Sequence, residues 1–368
     1  MKKILFVVIV VLSLKQQTTA QGCVAIRSNG GTCTMMASHN DHQMSASNWT
    51  FSINNRYFKS YKHFVGTDEQ KQRVQNGTEV INHVFSTEFG LTRQFNDRWS
   101  FGFFAPIISN ARSSLYEHTD PVKKVPVGRF STHSFGVGDV RMAGYYWLFD
   151  PVKSAKANVQ MGLGIKLPTG DYKYQDYFHI SDTSTRLGPV DQSIQLGDGG
   201  TGITLELNSF YNLSKPLSLY FNGFYLSNPR EQNGVSTARG GVASASSIAN
   251  GSDVMSVPDQ YMFRIGANYV VNQFVFSGGM RMECVPAKDL IGGSNGFRRP
   301  GYVISAEPVV AYKTGKTQLY LSVPVAVQRN RTQSVPDKIR TEMTGAYTKG
   351  DAAFADYTIN FGVAFSLK

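Results

Sequence analysis

The last segment of the chain, residues 357–367, alternates strictly in polarity. Its odd positions, from Tyr357 to Leu367, are large apolar or aromatic residues, and its even positions are polar or small. A β-strand points successive side chains to opposite faces, so this segment has one apolar face and one polar face. The pattern therefore predicts a strand whose two faces lie in different environments.

The same alternation recurs along the chain, and the connections between the alternating segments are long and short in turn. We predict twelve strands, at about residues 49–59, 79–95, 98–109, 135–149, 155–168, 200–213, 217–227, 259–271, 274–285, 301–313, 317–329 and 357–368. Soluble sandwiches mix loop lengths at both ends, whereas outer-membrane barrels have an even strand number, short periplasmic turns and long extracellular loops. The sequence predicts an all-β fold: a transmembrane antiparallel up-and-down β-barrel in the outer membrane of a Gram-negative bacterium.

The face that meets lipid follows from energetics. An Arg or Lys at the midplane of a barrel's lipid face costs about 2–4 kcal/mol, so the apolar faces must point outward. The outward aromatic residues then fall into two girdles, which are typical of membrane barrels. The predicted periplasmic girdle is Trp99, Tyr146, Tyr211, Tyr269 and Tyr312, and the extracellular girdle is Tyr57, Tyr225, Tyr261, Tyr302 and Tyr357.

The N-terminal region divides into two parts ahead of the barrel, which we place at residues 48–368. Residues 1–20 have a basic start, a short apolar run and small residues at the end, which is typical of a secretory signal peptide. Residues 21–47 are polar and are predicted to form a periplasmic segment or a plug. Export indicates an oxidising compartment, so we expect a disulfide between Cys23 and Cys33, which flank a turn-forming sequence. Acylation of Cys23 is the alternative.

The net charge of +11 suits basic loops that meet anionic surface lipid, or that keep the protein soluble. Nucleic acid is an unexpected partner for an exported chain. We expect the partners to be the lipid bilayer, lipopolysaccharide, the barrel-assembly machinery and a small-molecule solute, and we expect a monomer.

The inward faces of the predicted strands collect charges of both signs. The predicted lumen residues, which would line a pore or bind substrate, are Arg56, Glu88, Asp139, Arg141, Lys166, Glu206, Tyr220, Arg264, Arg281, Glu283 and Glu307. They favour two interpretations equally: a salt-bridged lumen that closes a narrow barrel, or a polar path that selects solutes.

The sequence shows no catalytic constellation, and we predict no enzyme, cofactor or metal site. A barrel lipase needs a serine, a histidine and an orienting residue close together. His83 is predicted to point outward and Ser277 inward, and neither has an evident partner. His39 and His42 are three residues apart but have only Asp41 beside them, which is a weak metal motif.

Short glycine-rich motifs carry a resemblance to a known family. They are Gly136-Val137-Gly138-Asp139 with Tyr145 in the same strand, Gly164 to Asp171, Gln195-Leu196-Gly197 and Gly199-Gly200-Thr201-Gly202. In this order they resemble the outer-membrane barrel family associated with the meta-cleavage pathway of phenol degradation, itself similar to the long-chain fatty acid transporter superfamily. The stretch from Gln21 to Arg27 also resembles secreted proteins of Bacteroidota. The resemblance implies a barrel that admits small aromatic or apolar compounds.

The aspartates of these motifs have two explanations. Glycine and proline next to Asp139 and Asp171 are typical of strand ends and capped turns. Alternatively, Asp139, Arg141 and Lys166 form a charge cluster in the lumen that gates it.

We therefore predict a channel or facilitator for passive passage of small molecules. The alternative is a sealed scaffold whose long extracellular loops bind a ligand or a partner protein, and a barrel enzyme is a distant third.

Overall fold

The structure, a computed structural model, describes residues 49–367. Within this range, twelve wall strands form one closed antiparallel barrel, as predicted. Two of these wall strands are interrupted and consist of two shorter strands each. The barrel closes where the first strand pairs with the last, with Trp49 opposite Leu367. The predicted signal peptide (residues 1–20), the segment at residues 21–47 and the predicted Cys23–Cys33 disulfide lie outside the described residues.

In chain order the strands are β1 (Trp49–Val65), β2 (Asp68–Glu69), β3 (Ile81–Gln94), β4 (Trp99–Ser114), β5 (Phe130–Val137), β6 (Arg141–Trp147), β7 (Ala157–Lys166), β8 (Gln175–His179), β9 (Thr185–Pro189), β10 (Gly202–Asn212), β11 (Leu217–Ser227), β12 (Gln232–Ser236), β13 (Val254–Ser256), β14 (Gln260–Val271), β15 (Phe274–Val285), β16 (Gly301–Thr314), β17 (Thr317–Ser322), β18 (Val325–Arg331) and β19 (Ala352–Leu367). The twelve wall strands are β1, β3, β4, β5 with β6, β7, β10, β11, β14, β15, β16, β17 with β18, and β19. The hairpins β8–β9 and β12–β13 lie in long loops.

The connections alternate in length, as the sequence predicts. Tight turns join β3 to β4, β10 to β11, β14 to β15 and β16 to β17 at one rim. Asn272 and Gly315 adopt positive φ angles of 53° and 55° in two of these turns, as tight hairpins require. The turn between β6 and β7, residues 148–156, is longer than the interval between the predicted strands 135–149 and 155–168. The long loops at the other rim are residues 66–80, 115–129, 167–201, 228–259, 286–300 and 332–351.

The two faces of the wall differ as the alternation predicts. On β10, Leu205 is 52% exposed on the outer face, whereas its neighbour Glu206 is 6% exposed inside. Charged groups in the interior and apolar groups on the outer surface are the arrangement of a barrel in a bilayer. The outward aromatic residues pack in pairs at both rims, such as Trp99 with Tyr146 and Tyr225 with Tyr261. The molecule is thus an outer-membrane β-barrel.

Two wall strands that we predicted to be continuous are interrupted. Between β5 and β6, residues 138–140 leave the ladder, and β4 pairs with Val137 on one side and Arg141 on the other. Between β17 and β18, the break falls at Val323 and Pro324, because proline has no N–H to donate to a ladder. The predicted strand at 317–329 is therefore two shorter strands, both of which lie between β16 and β19.

The long loops carry short helices: α1 (Lys71–Gln75), α2 (Ala245–Ala249) and α3 (Val335–Thr344), with a 3₁₀ turn at Gln192–Ile194. Between residues 49 and 367, no helix combines the length and the apolar character that a membrane crossing requires. Residues 190–200, here called the inner segment, turn back into the barrel mouth, where Val190, Ile194 and Leu196 are buried. The glycine-rich residues 197–200 thus form the end of a buried segment.

Candidate functional site

The structure places every predicted lumen residue on the inner side of the wall. Ten of them are buried by their neighbours, and the side chain of Asp139 is 5% exposed. They do not form one site but divide into separate groups along the wall. Their role in lining a pore or binding substrate stays a prediction.

Five of these residues form one chain of ion pairs, here called the arginine network. Arg56 pairs with Glu283 at 2.8 Å, and Glu283 also pairs with Arg281 at 2.8 Å. Glu307 lies 3.4 Å from Arg281 and 3.3 Å from Arg264. Each carboxylate thus bridges two guanidinium groups, as buried charges require.

A second group surrounds Arg141. Its guanidinium donates to Glu206 and to the hydroxyl of Tyr145, which in turn donates to Glu206 at 3.2 Å. The guanidinium lies over the rings of Phe104 and Phe224, 4.1 and 5.8 Å from their centroids. This side chain is compensated electrostatically and held by aromatic contacts.

A third group holds the inner segment to the wall. Lys166 pairs with Asp139 at 3.1 Å and also with Asp198 of the inner segment. Asp139 accepts from the backbone N–H of Gly170 at 3.0 Å. Asp139 therefore caps a turn and belongs to a charge cluster, while Arg141 pairs elsewhere. The capped turn and a charge cluster are both present, and gating stays a prediction.

Tyr220 belongs to none of these groups. It packs against Val309, Ala311 and Tyr320 inside the barrel. Its neighbours fill the interior, which favours a packing role for this ring.

The glycine motifs explain how the inner segment fits. A Cβ atom on Gly170 would lie 2.6 Å from the carbonyl oxygen of Leu196, and one on Gly197 would lie 2.6 Å from Asp139. Only glycine permits such a close approach of two backbones. The sequence motif thus marks the contact between the wall and the inner segment, which neither explanation from the sequence included.

The outer end of the inner segment is fixed by a buried ionic layer in the loops. Asp191 pairs with Arg299 at 2.7 Å and with Arg112 at 3.4 Å, and Arg112 also pairs with Glu117 at 2.8 Å. Arg239 also forms an ion pair with Glu117, at 2.9 Å. Burial opposes ionisation of both carboxyl groups, but the neighbouring guanidinium groups outweigh it and lower the pKa of Glu117 and Asp191.

The break at Pro324 leaves a gap in the wall between β18 and β19, here called the seam. The ladder between these strands contains a single opposed pair of described residues, Val325 and Tyr357. Farther toward the loops, Arg329 crosses the seam and donates to the carbonyl of Ala355 at 3.0 Å and to Asp356 at 2.7 Å. A side chain thus replaces the missing backbone ladder.

Beside the seam lies an open cleft, here called the wall cleft, whose space is about 680 Å³ when the part open to solvent is included. It is lined by Phe58, Ser60, Asn82, Val84, Ser193, Glu283, Val303, Ser305, Pro324, Ala326, Ala353, Phe354, Ala355, Tyr357 and Thr358. Most of this lining is apolar. Tyr357 is 51% exposed on the outside, whereas Glu283 is buried inside, so the lining spans the wall. The sequence could not reveal it, because a broken ladder has no signature in alternation.

The residues weighed as catalytic candidates lie apart and have other contacts. His83 lies beside the hydroxyl of Tyr57 at 2.9 Å, and Ser277 donates to Asn268 at 2.6 Å. Among residues 49–367 there is no group of three potential ligands that could hold a metal ion. The absence of enzymatic activity and of a cofactor stays a prediction.

Similar proteins were found by structure. The chain resembles an outer membrane channel from Pseudomonas putida F1, with 11% sequence identity and a TM-score of 0.57, over 89% of this chain and 98% of that one. It is also similar to the Pseudomonas putida toluene transporter TodX (11% identity, TM-score 0.46, 95% and 96% covered) and the Ralstonia pickettii toluene transporter TbuX (12% identity, TM-score 0.43, 95% and 96% covered). No protein-family model matches the chain. No curated protein matches it either. The first likeness shows a shared barrel fold.

Proposed function

We propose that this outer-membrane barrel is a channel or facilitator through which small aromatic or apolar molecules pass passively. The observation that carries the proposal is the wall cleft beside the seam. Its lining includes residues of the barrel interior and the lipid-facing Tyr357, which supports an apolar route through the wall. Apolar pockets with few polar groups are the usual binding sites of such molecules.

The state of the lumen favours an apolar solute over an ion. The arginine network consists of paired charges, and the inner segment occupies the barrel mouth. A hydrated ion would have to break buried pairs to pass, which is costly. The resemblance to the barrel family associated with phenol degradation supports aromatic compounds as the solutes.

An uptake assay tests the proposal. Gram-negative cells that express the chain are exposed to N-phenyl-1-naphthylamine, an apolar dye that fluoresces once inside the membrane. We expect faster uptake than in cells without the protein. Ala326→Trp fills the wall cleft and should abolish most of the increase. Ala267→Trp, on the outer face of β14 away from the seam, is the matched control and should leave uptake unchanged.

The second candidate is a sealed scaffold whose loops bind a ligand or a partner. The observation that favours it is the closure of the lumen by paired charges and by the inner segment. If the folded protein neither speeds dye uptake nor conducts ions in a planar bilayer, transport is excluded and the scaffold function is preferred.

A further inference from the structure

A second cavity, here called the inner cavity, lies inside the barrel beneath the inner segment, and its space is about 520 Å³ when the part open to solvent is included. Its apolar lining is Pro106, Ile108, Leu196, Phe224 and Leu226. Its charged lining is Glu88, Asp139, Arg141, Lys166 and Asp198. The cavity thus combines an apolar body with a charged end.

The charges at this end do not balance. The carboxylates of the group are Glu88, Asp139, Asp198 and Glu206, and its bases are Arg141 and Lys166. Arg141 is taken by Glu206, while Asp139 and Asp198 share Lys166. Within this group of described residues, four acids therefore face two bases.

Two carboxylates carry the excess. Glu88 is 8% exposed and makes no ion pair with the described part of the chain. Asn54 hydrogen-bonds to it, and Arg141, which attracts it, is already paired with Glu206. Asp198 uses one oxygen for Lys166 and for the N–H of Gly200, and its Oδ2 is buried with no hydrogen-bond partner among residues 49–367. A buried carboxylate that is poorly compensated either takes up a proton or pairs with a cation, so this end of the cavity favours a ligand that brings a positive charge.

We propose that the inner cavity binds an apolar molecule that carries a protonated amine. An ammonium group has three donors and no acceptor, which suits the free capacity of Glu88 and Asp198. The apolar body of the ligand packs against Ile108, Leu196 and Phe224. A bare metal ion would leave these apolar walls uncovered.

Arg141 does not turn the cavity into an anion site. Its charge is compensated by Glu206, and its guanidinium plane is covered by Phe104 at 4.1 Å. A carboxylate ligand would meet Glu88 in the same cavity, where like charges repel.

Calorimetry with the purified full chain in detergent tests this inference. The probes are 2-phenylethylamine, 2-phenylethanol and phenylacetate, which share an aromatic body and differ in charge. At pH 7 the amine is protonated, since its pKa is close to that of a lysine. We expect the amine to bind at least about tenfold more tightly than the alcohol, the effect of a charge-assisted hydrogen bond, and phenylacetate to bind most weakly.

Two conservative variants locate the charge. Glu88→Gln and Asp198→Asn should each weaken binding of the amine about tenfold and leave binding of the alcohol unchanged, which also shows that the cavity is intact. Glu342→Gln, on the exposed face of α3, is the matched control. If Asp198→Asn fails to fold because Lys166 loses its ion pair with this residue, the inference is tested with the Glu88→Gln variant.

Three results would overturn the inference. They are equal binding of amine and alcohol, unchanged binding of the amine to the Glu88 variant, and displacement of the amine by equimolar potassium or calcium. The assay needs no membrane and does not involve the seam. Its result therefore tests ligand binding separately from the transport proposal.

Discussion

Arg329 reaches across the seam and donates to Asp356 at 2.7 Å, where the backbones of β18 and β19 are no longer paired. Asp356 also accepts from Tyr61 at 3.0 Å and pairs with Lys62 at 3.0 Å, so it joins three strands. In most of the barrel the wall is held by the cooperative backbone ladder. Here it is held by side chains, which can exchange partners without unfolding a strand.

Removing the crossing side chain should open the seam. Arg329→Ala deletes the contacts to Ala355 and Asp356, and we expect dye uptake by expressing cells to rise severalfold. The stability cost should be only about 1 kcal/mol, because the pair is partly exposed and Asp356 keeps Lys62. Arg340→Ala on α3 is the control. Unchanged uptake by a folded Arg329 variant would mean that the seam is not the route.

The inner segment should act as a barrier to ions. Asp191→Ala leaves Arg112 and Arg299 without their shared carboxylate, and breaking a buried pair costs about 3–5 kcal/mol locally. We expect the inner segment to leave the mouth, so that single-channel conductance in a planar bilayer rises severalfold and proteases cut within residues 190–200. Asp182→Ala, in an exposed loop, should change neither property. If the Asp191 variant conducts like the unaltered protein, the inner segment does not obstruct the lumen.

The loop contacts should loosen as pH falls. The buried His118 accepts the N–H of His179 through its Nδ1 at 3.0 Å, and burial lowers its pKa below the ordinary 6.5. Glu117, His179, Arg239 and Asp176 are the charged or titratable groups around it.

The sign follows from linkage. A lowered pKa means that the folded form resists protonation, so the contribution of His118 is complete above pH 6.5 and declines as pH falls below it. Glu117, whose pKa lies below its ordinary 4.5, adds a second loss at lower pH. Protease protection of the hairpin β8–β9 should therefore fall in two steps, and His118→Gln should remove the first one only. A single step in the unaltered protein, below pH 4.5, would contradict the role of His118.

The arginine network should stabilise the barrel only as a complete set. Glu307→Ala removes the carboxylate shared by Arg264 and Arg281, and we expect a loss of about 3–5 kcal/mol in unfolding followed by gel mobility in urea. Replacing Glu307 and Arg264 together by methionine should recover part of this loss, because both members of a buried pair are removed. Glu342→Ala is the exposed control. A full loss in the double variant would show that the charges themselves are required.

Alternation allowed the fold to be predicted, because a barrel wall has the same two environments along its whole length. It placed Arg56 and Glu206 inside and Tyr211 outside correctly. It could not reveal the seam, because Pro324 interrupts a ladder without changing which side chains face inward. Nor could it reveal the inner segment, since the burial of Ile194 and Leu196 depends on a loop returning to the barrel, and periodicity reports only local geometry.

The glycine motifs were visible in the sequence, and their structural reason leads to a last prediction. A Cβ atom on Gly170 would lie 2.6 Å from the carbonyl oxygen of Leu196 and 2.8 Å from the N–H nitrogen of Gly197. Because both are backbone atoms, the clash can be relieved only by moving the main chain of the wall or of the inner segment. Gly170→Ala should displace the inner segment and raise conductance, as Asp191→Ala does, while the barrel remains folded. Gly144→Ala is the matched control, since a Cβ there meets no atom within 4 Å. Equal behaviour of the two alanine variants would show that the contact between the wall and the inner segment does not close the barrel mouth.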